Sequence, residues 1–121
     1  MPTTILIAED DPDLLRLVAL VLRTAGHTVL QAADGAEALA VAERERPDLI
    51  VSDVMMPGLS GVALAATLRA REDGHRPPIL LMSGAVLRPA MPPHTAFLAK
   101  PFSVDDLLRA VAALLPAAAP R

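Results

Sequence analysis

Residues 48–58 read Asp-Leu-Ile-Val-Ser-Asp-Val-Met-Met-Pro-Gly, and the fold class follows from this stretch. The four residues from Leu49 to Ser52 form a short, nearly continuous apolar run, which is typical of a strand buried on both faces of a parallel sheet. Pro57 and Gly58 break helices and strands alike, so the residues around them form a loop. The stretch therefore predicts a buried strand that ends at a carboxylate, Asp53.

Similar apolar runs recur on both sides of this stretch and alternate with helical patterns. Runs typical of strands occupy residues 5–8, 28–32, 79–82 and 97–99, and helical spacing of apolar residues covers 12–25, 35–46, 61–71 and 103–115. This alternation predicts an α/β fold, in which helices cover both faces of a parallel sheet and the crossovers are right-handed. Open sheets of this kind bind ligands beyond the carboxyl ends of their strands.

Two of the helices begin at recognisable capping sequences. Asp11 precedes Pro12, which combines an N-cap carboxylate with a proline at the first helical position. Ser103 and Asp106 have the spacing of a capping box. Pro116 ends the last helix, and we expect the tail at residues 116–121 to be frayed.

The composition excludes several classes of protein. The chain has 121 residues, a formal net charge of -3 and no cysteine, which predicts a single domain over residues 1–121 and excludes disulfides and thiolate metal sites. It has no apolar run that could span a bilayer, no secretory signal and no excess of basic residues. We therefore expect a cytoplasmic protein that binds neither membranes nor nucleic acid.

Polar residues follow four of the predicted strands at the points where the strands end. They are Glu9 and Asp10 after the first strand, Asp53 after the third, Ser83 after the fourth and Lys100 after the fifth. Each of these alone could be a solvated strand end or a turn residue. Because the carboxyl ends of parallel strands meet at one edge of a sheet, all of them are expected to converge there.

Three carboxylates held close together raise one another's pKa and need a compensating cation. An oxygen-only cluster favours Mg²⁺ or Mn²⁺. Lys100, the one lysine among 11 basic residues, and the Ser83 hydroxyl suit phosphate oxygens, which indicates a site for a phosphoryl group with a carboxylate as nucleophile. Met55 and Met56 are expected to pack, so that only a backbone carbonyl there would reach a metal ion.

At these residues the sequence resembles the receiver domains of two-component response regulators, the family of the chemotaxis protein CheY. The resemblance covers essentially the whole chain and rests on five motifs, at residues 5–12, 34–39, 48–58, 82–85 and 97–102. It implies a (βα)₅ flavodoxin-like fold with strand order 2-1-3-4-5, an order that CheY itself illustrates. It also implies a place in a phosphorelay.

The resemblance further implies what the carboxylates do. Asp53 would accept a phosphoryl group from a histidine kinase or a histidine phosphotransfer protein. Asp10, Asp53 and the backbone carbonyl of Met55 would hold Mg²⁺, with Glu9 acting through a bound water. The protein would phosphorylate and dephosphorylate itself and would not be an enzyme that turns over a separate substrate.

The same resemblance implies a conformational switch on the other side of the site. Lys100 would pair with the phosphoryl oxygens, and its peptide bond to Pro101 would be cis. Ser83 would move to donate a hydrogen bond to the phosphoryl group, which would let Phe97 change rotamer. Such contacts can shift a population between two states. The switch would then alter binding to a downstream protein that no motif identifies.

Between the fourth and fifth strands the chain departs from the family pattern. The segment from Gly84 to Ala96 has only 13 residues and contains Pro89, Pro92 and Pro93, which a regular helix cannot carry in its interior. We therefore expect the fourth helix to be missing or reduced to about one turn near residues 86–88. This departure leaves the phosphorylation site intact.

Other functions remain open at this point. The chain could be a receiver module excised from a hybrid histidine kinase or a longer regulator, or a degenerate module that binds protein constitutively. An aspartyl phosphohydrolase would carry a second acid two positions after Asp53, where this chain has Met55. A flavin-binding domain would need a phosphate-cradling first loop, whereas Glu9, Asp10 and Asp11 would repel phosphate.

Overall fold

A computed structural model describes residues 3–71, 77–84 and 95–115 of the chain. The described part contains five strands, β1 (Thr4–Ala8), β2 (Thr28–Ala32), β3 (Leu49–Asp53), β4 (Ile79–Ser83) and β5 (Thr95–Ala99). It also contains four helices, α1 (Pro12–Thr24), α2 (Gly35–Glu45), α3 (Gly61–Arg69) and α4 (Val104–Leu114).

The strands form one parallel sheet in the order β2-β1-β3-β4-β5, which confirms the predicted fold and strand order. In the centre of the sheet, Ser52 of β3 lies opposite Ala8 of β1 and Leu81 of β4. At the edge of the described sheet, Ser83 of β4 lies opposite Ala99 of β5. The register therefore brings the carboxyl ends of β1, β3, β4 and β5 to one side, as the sequence predicts.

Alternate residues of the strands feed two separate cores, one on each face of the sheet. One core packs against α2 and α3, and its largest buried members are Leu6, Ile50, Leu64, Ile79 and Leu81. The other core packs against α1 and α4, and its largest buried members are Ile5, Ile7, Leu22, Leu49, Leu80, Met82 and Leu107. Because both faces of β3 and β4 are covered, every residue of these two strands is buried, which explains their continuous apolar runs.

The capping predictions are confirmed. The Asp11 carboxylate accepts hydrogen bonds from the backbone N–H groups of Asp13 and Leu14, at 3.0 and 3.4 Å. Ser103 and Asp106 form the reciprocal bonds of a capping box, at 3.0 and 3.3 Å. Both caps satisfy N–H groups that the first turn of a helix leaves without partners.

Element boundaries differ from the prediction by more than one residue in two places. Strand β5 begins at Thr95, two residues before the predicted start, because Thr95 and Ala96 pair with Ile79 and Leu80 of β4. Helix α3 ends at Arg69, two residues before the predicted end, and Ala70 caps it. The predicted loss of a helix between β4 and β5 and the predicted frayed tail concern residues 85–94 and 116–121, which lie outside the described residues.

Among the described residues, no helix combines the length and the apolar character needed to cross a membrane.

Candidate functional site

Three carboxylates meet where β1 and β3 end. Oxygen atoms of Glu9, Asp10 and Asp53 all lie within 4.8 Å of one another. Glu9 and Asp53 are buried, whereas Asp10 is exposed. Glu9 is held in place by the sheet, since its backbone N–H donates to the Ala32 carbonyl of β2 at 3.1 Å. Two neighbouring strands thus deliver carboxylates to one point, as their predicted adjacency requires.

Lys100 reaches this cluster from the end of β5, which is separated from β3 by β4. Its Nζ atom lies 2.9 Å from Asp53 Oδ1 and 3.3 Å from Glu9 Oε1, and its side chain is 25% exposed. The backbone around the lysine is fixed by a hydrogen bond from Lys100 N to the Ser83 carbonyl, at 2.8 Å. The peptide bond between Lys100 and Pro101 is cis. An ammonium group and a carboxylate 47 positions apart in the sequence (100 minus 53) therefore form a close ion pair.

The pKa values of Glu9 and Lys100 are shifted by their surroundings in the cluster. Burial raises the pKa of Glu9, and the charge of Asp53 adds to this increase. The Asp11 N–H, which donates to Glu9 Oε2 at 3.1 Å, and the charge of Lys100 oppose it without cancelling it. For Lys100, burial alone would lower the pKa, but its hydrogen bond to Asp53 and the charges of Asp53 and Glu9 hold the pKa above its usual value.

The donor set of the cluster fits a hard divalent cation. The three carboxylates carry three formal negative charges and face one lysine, which leaves two negative charges uncompensated. All the side-chain donors are carboxylate oxygens, which Mg²⁺ and Mn²⁺ prefer, and the exposed Asp10 leaves the cluster open on one side. The cluster can therefore hold such a cation close to the Asp53 carboxylate.

The loop after β3 and the neighbouring strands carry the other predicted residues. The Met55 side chain is 71% exposed, so the expectation that it packs is wrong, whereas Met56 is buried as expected. Ser83 is buried at the end of β4, beside the strand that bears Asp53. Phe97 lies in the middle of β5, half-buried, and packs against the core under α2 and α3.

Two residues make contacts with the end of β3 that the sequence does not predict. Ser52, fully buried, donates a hydrogen bond from its hydroxyl to the Asp53 carbonyl at 2.9 Å. Gly61, at the start of α3, lies so close to the Asp53 carbonyl that a Cβ atom there would overlap it. The sequence feature that could have indicated the Ser52 contact is a serine hydroxyl inside an apolar run, directly before the predicted carboxylate Asp53.

Comparison with known families gives a match over most of the chain. The family model described as the response regulator receiver domain matches residues 5–112. Among curated proteins, the chain is 36% identical over 118 residues to "Probable transcriptional regulatory protein TcrX" of Mycobacterium tuberculosis, and the match covers 94% of this chain and 50% of that protein. The chain spans about half the length, or less, of the curated relatives it matches.

Solved structures give the same result. The chemotaxis response regulator CheY4 of Vibrio cholerae matches with a TM-score of 0.83 and 30% identity, over 95% of this chain and all of that one. The receiver domain of the sensor histidine kinase PA1611 of Pseudomonas aeruginosa matches with a TM-score of 0.82 and 32% identity, over 94% of this chain and 98% of that one. The PA1611 structure has a magnesium ion coordinated in its active-site cleft.

Proposed function

The chain belongs to the response regulator receiver domain family of two-component signalling, and on this basis we propose that it is switched by phosphorylation of Asp53. The phosphoryl group would come from a histidine kinase or a histidine phosphotransfer protein. The altered protein surface would then be recognised by a downstream partner. We also propose that the described strands and helices, which are built around one sheet, form a single receiver domain.

One contact carries the proposal. Asp53 is a buried carboxylate at the end of a central strand, and its Oδ1 atom lies 2.9 Å from the ammonium group of Lys100. A lysine in this position can pair with the Asp53 carboxylate before phosphorylation and with the oxygens of the bound phosphoryl group after it. A purely structural ion pair would not need two further carboxylates, Glu9 and Asp10, within 4.8 Å.

These carboxylates also suit the cation that phosphoryl transfer requires. Asp10, Asp53 and the Met55 carbonyl would hold Mg²⁺, and Glu9 would contribute through a bound water. When bound, Mg²⁺ supplies positive charge between the carboxylates and the incoming phosphoryl oxygens, which would otherwise repel each other. The magnesium ion in the cleft of the PA1611 receiver supports this choice of cation.

In the chemical step, a carboxylate oxygen of Asp53 forms a bond to phosphorus while the bond from phosphorus to the donor's imidazole nitrogen breaks. The imidazole leaves with the bonding electrons and takes up a proton. Lys100 stays paired with the phosphoryl oxygens. Hydrolysis later breaks the acyl phosphate, returning the Asp53 carboxylate and releasing inorganic phosphate.

The response to phosphorylation would pass through β4 and β5. The Ser83 hydroxyl would donate a hydrogen bond to the phosphoryl group, and Phe97 would change rotamer in the space that this movement opens. The two residues lie on adjacent paired strands, and Leu81 of β4 is directly opposite Phe97. A phosphoryl group adds about -1.5 to -2 charges at neutral pH, so a contact made only by the phosphorylated form can shift the population of the switched state.

A protein donor must bring its phosphohistidine to this edge of the sheet. An open groove beside the ion pair is lined by Leu14 and Leu17 of α1 and by Lys100, Pro101 and Phe102. Leu17 is half exposed, so the groove offers apolar surface beside Lys100, the ion-pair partner of Asp53. We propose that the donor protein contacts this groove during transfer.

The experiment that tests the proposal is intact mass spectrometry after incubation with Mg²⁺ and acetyl phosphate. Wild type should gain one phosphoryl group, and Asp53→Asn should gain none. Asp48→Asn is the matched control, because Asp48 directly precedes β3 at the other end of the strand from Asp53 and accepts a hydrogen bond from Thr4 N at 2.9 Å. This control should be phosphorylated like wild type.

Phosphorylation of the Asp53→Asn variant, or modification without Mg²⁺, would contradict the proposal. If wild type gained no mass from acetyl phosphate or from a panel of phosphohistidine proteins, we would conclude that the domain is a constitutive binding module.

A further inference from the structure

Directly before Asp53, the structure has a buried hydroxyl for which the chemistry above has no use. Ser52 is fully inaccessible to solvent in the centre of the sheet, and its Oγ donates to the Asp53 carbonyl at 2.9 Å. A side chain that binds the next carbonyl along the chain restrains the rotation of that peptide group. The restrained group here is the peptide between Asp53 and Val54.

The start of helix α3 packs closely against the same peptide. A Cβ atom added to Gly61 would overlap the Asp53 carbonyl oxygen and would lie 3.0 Å from Ser52 Oγ. Only a glycine permits the start of α3 to come this close to β3. The Asp53 carbonyl is therefore held between the Ser52 hydroxyl and the Gly61 Cα.

Two backbone hydrogen bonds complete the arrangement at Val54. Val54 N donates to the Met82 carbonyl of β4 at 2.9 Å, and Gly61 N donates to the Val54 carbonyl at 2.9 Å. The loop at residues 54–60 is thus closed at its base. We call the group of Ser52, Asp53, Val54 and Gly61 the Asp53 clamp.

We propose that Ser52 is a positioning residue, which acts through the Asp53 clamp to fix the Asp53 carboxylate relative to the Met55 carbonyl. This role rests on the function proposed above, in which both groups hold the same cation. Only the peptides at Val54 lie between these two ligands, so a rotation of the restrained peptide changes the distance between them. Ser52 therefore determines how well the free protein is arranged for the cation.

The proposal differs in its consequences from a purely structural role for the hydroxyl. If Ser52 merely satisfied a buried carbonyl, its loss would lower stability and leave cation affinity unchanged. If Ser52 positions the ligands, its loss must also weaken cation binding, because the cation would have to restore the geometry itself. The two roles can be separated by measuring stability and Mg²⁺ affinity on the same variants.

The test compares Ser52→Ala with Thr67→Val. Thr67 lies on α3, the helix that begins at Gly61, and its exposed hydroxyl donates to the Ala63 carbonyl at 2.8 Å. Each substitution deletes one hydroxyl that binds a backbone carbonyl, but the Ser52 hydroxyl is buried at the site, whereas the Thr67 hydroxyl is exposed away from it, so urea unfolding of both variants records the difference in stability. Ser52→Thr keeps the hydroxyl and serves as the conservative variant if Ser52→Ala folds poorly.

Mg²⁺ affinity is measured by NMR titration without a phosphodonor, together with urea unfolding in Mg²⁺-free buffer. We expect Ser52→Ala to raise the midpoint Mg²⁺ concentration about three- to tenfold, the range that one hydrogen bond supports. Thr67→Val should change the midpoint Mg²⁺ concentration less than about twofold. The midpoint of Ser52→Thr should be closer to that of wild type than the midpoint of Ser52→Ala is.

An unchanged midpoint in Ser52→Ala would overturn the positioning role, as would a wild type that binds no Mg²⁺. A midpoint that rises equally in both hydroxyl deletions would also overturn it. The proposed function fails separately, if no donor phosphorylates Asp53 in a wild-type protein that does bind Mg²⁺. In that case the Mg²⁺ midpoint still decides what Ser52 does.

Discussion

Strands β3 and β5 each deliver one partner of the ion pair between Asp53 and Lys100, and the two strands are held in opposite ways. Strand β3 lies in the middle of the sheet, pairs with β1 and β4, and is buried along its whole length. Strand β5 lies at the edge of the described sheet and pairs with β4, and its residues are half-buried or exposed. Asp53 thus ends a strand in the core, whereas Lys100 follows a strand at the edge of the described sheet.

The ends of the two strands differ in the same way. At the end of β3 the Asp53 clamp fixes the backbone through close packing and short hydrogen bonds. Immediately after β5, Lys100 is held by one backbone bond to Ser83 and by attraction to Glu9 and Asp53. Packing does not respond to salt, whereas an ion pair whose lysine is 25% exposed is partly screened by it. Variants in the core of β3 should therefore be insensitive to salt, and variants of Lys100 should respond to it.

The largest expected difference is in the cost of removing a side chain from each strand. Ile50 of β3 is fully buried, so Ile50→Ala should lower the free energy of unfolding by about 2–5 kcal/mol. Leu98 of β5 is only half-buried, so Leu98→Ala should cost about 1–2 kcal/mol. Urea unfolding followed by far-ultraviolet circular dichroism measures both, since the chain has no tryptophan or tyrosine.

Equal losses in Ile50→Ala and Leu98→Ala would show that the edge strand is as firmly packed as the centre. The comparison holds only if the dependence of the unfolding free energy on urea is the same in both variants.

A smaller effect is expected from adding one methyl group at the end of β3. In Gly61→Ala the new Cβ meets the Asp53 carbonyl and lies 3.0 Å from Ser52 Oγ and from a methyl group of Leu81, so stability should fall by about 1–3 kcal/mol. Gly84→Ala is the control after β4, where an added Cβ has no atom of the described residues within 4 Å. Its unfolding free energy should stay within about 0.5 kcal/mol of wild type.

Thermal or urea unfolding of the two glycine variants decides between close packing and a loose strand end. If Gly61→Ala is as stable as Gly84→Ala, the start of α3 can move away from β3 without cost, and the Asp53 clamp is not rigid.

The central strands could be predicted from the sequence because their patterns have one physical cause. Runs such as Leu49–Ser52 are nearly continuous in apolar residues only when both faces of a strand are buried, so the parallel sheet and the meeting of Asp53 with Glu9 and Lys100 followed from the strands and their ends. The strand order followed from the family resemblance. The start of β5 was missed because Ala96, a residue type depleted in strands, interrupts the pattern before Phe97, and Thr95 and Ala96 join the strand through pairing with β4.

The Asp53 clamp could not be predicted for a related reason. A hydrophobic pattern shows that Ser52 is inside the protein, but which carbonyl its hydroxyl binds depends on the backbone geometry at the strand end. The close approach of Gly61 to the Asp53 carbonyl depends on how α3 packs against β3. The sequence shows only that a glycine follows the loop. The exposure of the Met55 side chain was missed because an apolar residue next to a strand was assumed to pack.

The smallest expected effect comes from removing the charge after β5. Lys100→Gln leaves Glu9 and Asp53 facing each other without a cation, and because the two carboxylates are nearly buried while the lysine is 25% exposed, the loss should be about 1–2 kcal/mol at low salt. Arg109→Gln removes the same charge from an exposed position on α4 and should have little effect. Raising sodium chloride to about 1 M should shrink the Lys100→Gln loss, because salt screens the repulsion, and should leave the Ile50→Ala loss unchanged. A Lys100→Gln loss that persists in high salt would mean that β5, like β3, is held by packing, and the contrast between the two strands would disappear.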